Sequence, residues 1–180
     1  SKENVFVDDR SDFKSILDDT LTLLKFNLNH SNIHLNIDID DERIILPCSG
    51  DNLRQVLLNI ILNAIDAINI NEINDKREIN IRGLVQNDYL ILEVIDTGRG
   101  ISKEDINNIF DPFYTTKESG TGLGLPLSLN IINYIGGRIL ADSSLGNGTK
   151  VTLIIPAVVW EGDIYDWQFY NSISRWWKVY

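Results

Sequence analysis

The sequence predicts an α/β fold in which a mixed, mostly antiparallel sheet is covered by helices on one face. The 180 residues suit one globular domain, and 43% of them are apolar, which is enough for a sizeable core. The predicted order is helix, strand, helix, two strands, a long loop, helix and two strands. Hairpin connections dominate, so most neighbouring strands should run antiparallel, with the helices packed together on one side.

The first helix and strand are predicted from two different periodicities. Residues 12–29 carry apolar side chains at helical spacing from Phe13 to Leu28, and Ser11 is the expected N-cap. Residues 33–39 then alternate isoleucine or leucine with polar side chains. This alternation predicts a strand with one solvent-exposed face.

A second helix is predicted from residue 51, with Asp51 as its cap, to Asn69. Its apolar side chains fall on one broad face: Leu53, Val56, Leu57, Ile60, Ile61, Ala64, Ile65 and Ile68. Asn59, Asn63 and Asp66 line an opposite stripe at i, i+4 and i+7. A solvated helix face is one interpretation of this stripe. Asparagine is a poor helix former, however, and these oxygen-bearing groups suit Mg²⁺ ligation.

The remaining elements follow from strand patterns and turn residues. Residues 79–85 and 89–95 are predicted strands joined by a tight hairpin connection at Gln86-Asn87-Asp88. After a loop-rich stretch over residues 96–124, a third helix covers residues 125–135 and ends at Gly136-Gly137. Residues 138–142 and 149–155 form the last predicted hairpin, around a glycine-containing turn.

Composition narrows the function classes. The net charge of −10 argues against a nucleic-acid surface, and no apolar run approaches the roughly 18 residues of a membrane span, so no membrane contact is expected. The single cysteine, Cys48, cannot form an internal disulfide, which favours a reducing, cytoplasmic compartment and a buried role for its side chain. Because the chain starts at Ser1 rather than Met, we expect a fragment of a longer protein whose parent could be membrane-anchored.

The chain divides at Pro156 into a predicted domain, residues 1–156, and an aromatic C-terminal extension, residues 157–180. The extension contains all four tryptophans: Trp160, Trp167, Trp176 and Trp177. It is too apolar for a solvated linker. It could pack on the domain, pair with a partner or be exogenous.

Two loops carry residues suited to nucleotide binding. In Asp96-Thr97-Gly98-Arg99-Gly100, the glycines permit a sharp turn at a strand end, where a carboxylate can accept a hydrogen bond from an exocyclic amine such as that of adenine. An ordinary turn explains this string equally simply. The string Gly120-Thr121-Gly122-Leu123-Gly124 leads into a helix, where free N–H groups favour phosphate, and its glycines suggest a mobile lid.

Taken together and in order, five strings identify a family resemblance. Asn59-x-x-x-Asn63, Asp96-x-Gly-x-Gly100, Phe110-Asp-Pro-Phe113, Gly120-x-Gly-x-Gly124 and Gly146-x-Gly-Thr149 are similar to the motifs of the GHKL ATPase superfamily, and within it of histidine kinase catalytic domains. The resemblance covers about residues 5–156. The Phe-Tyr-Thr-Thr-Lys string and the short lid resemble the nitrogen-regulation class of sensor kinases. The implied fold is the Bergerat ATP-binding fold, a two-layer α/β sandwich.

The resemblance also implies roles for particular residues, with ATP and Mg²⁺ as cofactors. Asn63 would bind Mg²⁺, and Asn59 and Lys117 would act beside the γ-phosphate. Asp96 would bind the adenine amine, supported by Thr149. The other residues expected to bind nucleotide or order its lid are Gly98, Gly100, Ile101, Phe110, Phe113, Thr116, Gly120, Thr121, Gly122, Leu123 and Gly124.

Three departures from the family pattern affect this interpretation. Asp66 stands where many histidine kinases carry a lysine, and it could contact Mg²⁺ through water or be solvated. Arg99 replaces a small residue or proline. The His-Glu-x-x-x-Pro phosphoacceptor box is missing, since neither His30 nor His34 has its neighbours. We therefore predict that the domain transfers the γ-phosphoryl group to a histidine on upstream dimerisation helices, and that a response regulator is an indirect partner.

Two alternatives remain open. A GHKL kinase that phosphorylates serine, like the anti-sigma or mitochondrial dehydrogenase kinases, is faintly suggested by Leu125-Pro126-Leu127-Ser128. A nucleotide-gated binding module that uses the aromatic extension as an interface is the other. A gyrase-like ATPase is disfavoured because Asn59 occupies the place of the glutamate that activates water, and an amide is a poor base.

Overall fold

A computed structural model describes residues 10–40, 43–71, 76–117 and 120–159. Its elements are β1 (Ser11–Asp12), α1 (Phe13–His30), β2 (His34–Ile39), β3 (Ile44–Leu46), α2 (Gly50–Asn69), β4 (Glu78–Gln86), β5 (Tyr89–Asp96), α3 (Gly124–Tyr134), β6 (Arg138–Ser143), β7 (Thr149–Pro156) and β8 (Val158–Val159). No helix in these ranges is both long and apolar enough to cross a membrane.

The main sheet has five strands in the order β2-β4-β5-β7-β6. Only the β2–β4 pair is parallel, because the chain crosses over between them through α2. The other pairs are antiparallel, and the β4–β5 hairpin closes through Asn87 and Asp88, which both have positive φ (51° and 63°). Such a two-residue turn matches the twist of the flanking strands. The predicted mixed, mostly antiparallel sheet is confirmed.

The three helices pack beside one another against the sheet, with α2 in the middle between α1 and α3. Each of the eight apolar residues predicted for the inner face of α2 is buried. They meet Ile79, Ile81, Leu92 and Leu153 of the sheet, none of which is solvent-accessible. Cys48 is also buried, as predicted. This packing fixes α2, and with it the polar stripe on its other side.

Both predicted helix caps are wrong by one or two residues. Asp12, rather than Ser11, caps α1 by accepting a 3.1 Å hydrogen bond from the Ser15 amide. Ser11 instead pairs with Leu46 in β1. The N-cap of α2 is Ser49, and Asp51 lies in the first turn, where its negative charge faces the positive end of the helix dipole.

A second, small sheet of order β1-β3-β8 was not predicted. Its last strand, Val158–Val159, lies beyond the boundary expected at Pro156 and pairs with Ile44 and Ile45. Ala157, between β7 and β8, is buried, and its amide donates to the Asp88 carbonyl. The small sheet thus includes residues up to Val159, and the rest of the aromatic extension lies outside the described residues.

Candidate nucleotide-binding site

A cavity of about 490 Å³ opens between α2, the loop after β5 and the start of α3. Most of the predicted site residues line it: Asn59, Asn63, Asp66, Asp96, Gly100, Ile101, Phe110, Thr116, Lys117, Gly120, Thr121, Gly122, Gly124 and Thr149. Gly98, Phe113 and Leu123 do not. The fold therefore gathers strings that are up to 90 residues apart in the sequence, from Asn59 to Thr149, around one space.

Asp96 lies at one end of the cavity, and its carboxyl is nearly inaccessible to solvent. It is 6% exposed, and Oδ1 accepts a 2.7 Å hydrogen bond from the Gly98 amide. Burial raises the pKa of Asp96 to about 6, although hydrogen bonds from the backbone at Gly98 and Thr149 act in the opposite direction. Thr149 thus supports this carboxyl directly through its backbone.

Gly98 holds the loop after β5 against α2. A Cβ on Gly98 would lie 2.6 Å from Cβ of Ala67, so only glycine fits at this distance. The next amide, of Arg99, donates to the Ala67 carbonyl at 3.0 Å, and the Arg99 carbonyl accepts from Gly146 at 2.7 Å. Gly98 is consequently behind the cavity wall: it shapes the wall without lining it.

Asn59 joins α2 to α3. Its Nδ2 donates to the Gly124 carbonyl at 3.0 Å and to Oγ of Ser128 at 3.2 Å. Ser128 is completely buried and itself donates to the Gly124 carbonyl at 2.9 Å. The helix end that faces the cavity is therefore fixed by a side chain of the opposite helix.

Lys117 contacts the other two polar residues of the α2 stripe. Its Nζ lies 2.7 Å from Oδ1 of Asn63 and 2.7 Å from Oδ2 of Asp66. The contact with Asp66 is an ion pair between partly exposed side chains. Asp66 thus pairs with a lysine of the same site, a contact that neither of the two roles considered for it included.

The Phe110–Lys117 segment meets the glycine string through its backbone. The Phe113 amide donates to the Gly122 carbonyl at 2.9 Å, and both residues have positive φ (68° and 65°). Phe110 packs partly buried against the core, whereas the Phe113 side chain is 76% exposed. Phe113 therefore contacts the middle of the glycine string, at Gly122, through its main chain.

Several residues of the site were not assigned a role from the sequence. Nη2 of Arg99 donates to Oγ1 of Thr116 at 2.7 Å. The Tyr114 hydroxyl donates to Asp105, which also accepts from Ser102, and these bonds hold the pKa of Asp105 below its usual value. The same hydrogen bond to Asp105 raises the pKa of Tyr114. From the sequence, Arg99 stood out only because the family has a small residue or proline at this position.

The polar groups that line the cavity are ordered by their contacts along α2. The loop bonded to Asp96 lies against Ala67, whereas Lys117 and the start of α3 contact Asn63 and Asn59, which are one and two turns earlier on α2. The lining also includes the apolar side chains of Ile70, Ile101 and Val151. Apolar lining groups and one buried acceptor suit a planar base, and a lysine beside a helix N-terminus suits phosphates.

Known protein families and individual kinases show clear sequence similarity to this chain. Residues 48–159 match the family model described as histidine kinase-, DNA gyrase B-, and HSP90-like ATPase. The chain is 35% identical over 141 residues to sporulation kinase E of Bacillus subtilis, covering 78% of this chain and 19% of that protein. It is 33% identical over 152 residues to the sensor histidine kinase ZraS of Escherichia coli, covering 84% and 32%. The chain thus spans a third or less of these relatives.

Solved structures with the same architecture include histidine kinases. The catalytic domain of histidine kinase ThkA, in a nucleotide-free form, superposes with a TM-score of 0.71 at 28% identity and covers 82% of this chain and 93% of that one. Full-length ShkA in complex with AMPPNP gives a TM-score of 0.72 at 21% identity, with 84% and 31% covered, and shows likeness of fold. The predicted two-layer α/β architecture is confirmed.

Proposed function

The chain belongs to the histidine kinase-, DNA gyrase B-, and HSP90-like ATPase family, and from this membership we propose that it is the ATP-binding catalytic domain of a sensor histidine kinase. The observation that carries the proposal is a single cavity lined by a buried carboxyl, a lysine and two asparagines. The loop of the carboxyl, Asp96, lies against Ala67, and Lys117 and the start of α3 contact α2 one and two turns earlier. This separation suits adenine at the carboxyl and a triphosphate at the lysine. The curated relatives named above are kinases that include sensor histidine kinases.

Each end of the cavity would bind a different part of ATP. Asp96 would accept a hydrogen bond from the exocyclic amine of adenine, and the apolar lining would cover the faces of the ring. The N-terminus of α3 and the glycine string would bind phosphate oxygens through backbone N–H groups. Lys117 would add a positive charge close to the terminal phosphates.

The residues present fit a magnesium ion. Oδ1 of Asn63 and Oδ2 of Asp66 are oriented towards one positive charge, the Nζ of Lys117, at equal distances of 2.7 Å. Oxygen ligands of this kind are those that Mg²⁺ prefers, and it needs few from the protein because phosphates and water complete its shell. When bound, the ion would neutralise charge on the phosphates during transfer.

Asn59 is suited to a kinase that must retain ATP until its acceptor arrives. Its amide donates to the Gly124 carbonyl and cannot remove a proton from water. The domain would therefore position the γ-phosphoryl group without hydrolysing the nucleotide. We expect the acceptor histidine to lie on dimerisation helices of the parent kinase, which then passes the phosphoryl group to a response regulator.

Calorimetry tests the nucleotide site. The domain should bind a non-hydrolysable ATP analogue with Mg²⁺ at micromolar to millimolar strength, and Asp96→Asn should weaken binding at least tenfold. An exposed acid elsewhere, Asp142, provides the matched control, since Asp142→Asn should leave affinity unchanged. Absence of wild-type binding at millimolar nucleotide would rule the proposal out.

A second assay tests the reaction. The domain is incubated with Mg–ATP and with purified dimerisation helices that carry a phosphoacceptor histidine. We expect a phosphoprotein whose phosphate is lost in acid and retained in alkali, as phosphohistidine is. An acid-stable phosphate on serine would instead support the serine-kinase alternative.

A further inference from the structure

We propose that in the nucleotide-free domain Lys117 occupies the position of the divalent cation, and that Arg99 keeps it there through Thr116. The inference rests on the proposed function, because it concerns the same site. It assigns roles to Arg99 and Thr116 that follow from their contacts alone, and it explains why Asp66 faces the cavity.

The ammonium group of Lys117 lies between two oxygen atoms of α2, as a bound cation would. Its ammonium group lies 2.7 Å from both Oδ1 of Asn63 and Oδ2 of Asp66, which come from adjacent turns of α2. An ammonium is a compact point charge, so it can take the place of a small metal ion between two oxygens. Asn63 has no other side-chain hydrogen bond among the described residues, so its amide oxygen is committed to this one contact.

The ion pair between Lys117 and Asp66 is weak enough for a metal ion to replace the lysine. The side chains of Lys117 and Asp66 are 32% and 48% exposed, and pairs with this much access to solvent contribute little to stability. A metal ion that arrives with a nucleotide can therefore replace Lys117. The released ammonium remains beside the cavity, where the phosphates of the same ligand supply new oxygen partners.

Arg99 ties Lys117 to a fixed part of the fold. The backbone of Arg99 is bonded to α2 through the Ala67 carbonyl and to the β6–β7 turn through Gly146. From this fixed position its guanidinium donates to Oγ1 of Thr116, the residue that precedes Lys117. Arg99 is consequently a positioning residue, which orients Lys117 towards α2 without touching the α2 oxygens itself.

Charge explains why metal and nucleotide should bind together. Arg99 and Lys117 are the two cationic residues that line the described part of the cavity. With Lys117 in place, Asp66 is already neutralised, and a lone Mg²⁺ would have to displace a positive charge into the same space. A Mg–nucleotide complex keeps a net negative charge, so it compensates for the displaced lysine.

The test measures how Mg²⁺ alone changes the thermal stability of the nucleotide-free domain at constant ionic strength. The wild-type Tm should stay almost constant across the titration. Lys117→Met leaves the two α2 oxygens without a cation, so its Tm should rise with Mg²⁺. The Lys117→Met/Asp66→Asn double variant should lose that rise. Lys117→Gln is a second neutral variant, with the same expectation, should the methionine variant fold poorly.

A separate set of variants tests whether Arg99 positions Lys117. Arg99→Gln and Thr116→Val both remove the bond to Lys117's segment, so each should give a Mg²⁺ response between those of wild type and Lys117→Met. Arg43→Gln removes an arginine that pairs with Asp12 on the other side of α2, and it should behave as wild type. A merely structural role for Arg99 would lower the Tm without changing its dependence on Mg²⁺.

The outcomes separate this inference from the proposed function. A Lys117→Met variant that responds to Mg²⁺ no more than wild type overturns the placeholder role of Lys117. Wild-type responses for Arg99→Gln and Thr116→Val overturn the role of Arg99. In either case, the kinase proposal would still hold if the wild type binds the Mg-bound ATP analogue in calorimetry. If the wild type does not bind it, the kinase proposal itself is wrong.

Discussion

The amide of Gly98 donates a 2.7 Å hydrogen bond to the carboxyl of Asp96, two residues earlier, at the buried end of the cavity. Burial nevertheless dominates and raises the pKa of Asp96 to about 6. Since an ionised carboxylate is the stronger acceptor for adenine, affinity should fall below this pH. We predict about tenfold weaker nucleotide binding at pH 5 than at pH 7, measured by calorimetry.

Asp96→Asn supplies the control for this pH dependence. The variant should bind weakly at every pH, and it should show only the titration that belongs to the nucleotide itself. An identical pH profile for wild type and Asp96→Asn would contradict the assignment of the titration to Asp96.

The stability of the nucleotide-free protein should depend on pH in the opposite direction to nucleotide affinity. A pKa raised from 3.8 to about 6 means that the folded state binds the proton more tightly than the unfolded state. The contribution of Asp96 to stability therefore declines as pH rises through this window.

Gly98→Ala should weaken nucleotide binding although residue 98 does not line the cavity. The added Cβ would lie 2.6 Å from Cβ of Ala67, so the loop that carries Asp96 must move away from α2. Overpacking of this kind costs about 1–3 kcal/mol of unfolding free energy, which urea denaturation would measure.

Gly146→Ala is the comparison for an added methyl group at a glycine, since nothing lies within 4 Å of its Cβ position. Its positive φ of 81° should cost about 1 kcal/mol in stability, with nucleotide affinity almost unchanged. If Gly98→Ala and Gly146→Ala had the same affinity for nucleotide, the proposed link between Gly98 and the adenine end of the cavity would be wrong.

The sequence was most informative where one local pattern determines the structure. The apolar face of α2 is set by a single periodicity, and the Asn87-Asp88 turn is set by the two residues that tolerate positive φ. The small sheet lacked such a signal, because strands of two or three residues are too short to show alternation. Its pairing of Ile44 with Val159 is fixed by tertiary packing across most of the chain.

The same limit applies to the site. The composition of each string predicted what it could bind, and the family order indicated that the strings meet. The sequence could not indicate that Lys117 would reach Asn63 and Asp66, since 54 and 51 residues separate the partners. Nor could it indicate that Asn59 would bond Ser128, which is buried only because α2 and α3 pack together.

The two asparagines of α2 should therefore respond differently to truncation. Asn59→Ala removes the hydrogen bonds of its amide to the Gly124 carbonyl and to the buried Ser128 hydroxyl, which keep only the bond between them. For two lost hydrogen bonds we expect a decrease of about 1–3 kcal/mol in unfolding free energy. Asn63→Ala removes one partly exposed contact with Lys117 and should cost less than about 1 kcal/mol, while it weakens Mg²⁺-dependent nucleotide binding. Urea denaturation and calorimetry on both variants would check this. A larger stability loss in Asn63→Ala than in Asn59→Ala would contradict the structural role of Asn59.

Tyr114→Phe should change the titration of Asp105 without disrupting the fold. The Tyr114 hydroxyl is the largest cause of the lowered pKa of Asp105, and the Ser102 hydroxyl is the second. Removing the Tyr114 donor should raise the pKa of Asp105 towards its ordinary value, which NMR titration of the carboxyl would show.

The direction of the effect on stability follows from the same bond. A carboxyl with a lowered pKa stabilises the folded state above its unfolded pKa of 3.8, and this contribution disappears as pH falls through the folded value. Tyr114→Phe should therefore reduce stability at neutral pH and converge with wild type in acid. Tyr134→Phe, at an exposed tyrosine on α3, is the matched control and should leave both the Asp105 titration and the acid transition unchanged. An unchanged Asp105 titration in Tyr114→Phe would show that Ser102 and the charge of Arg99 suffice to hold this pKa down.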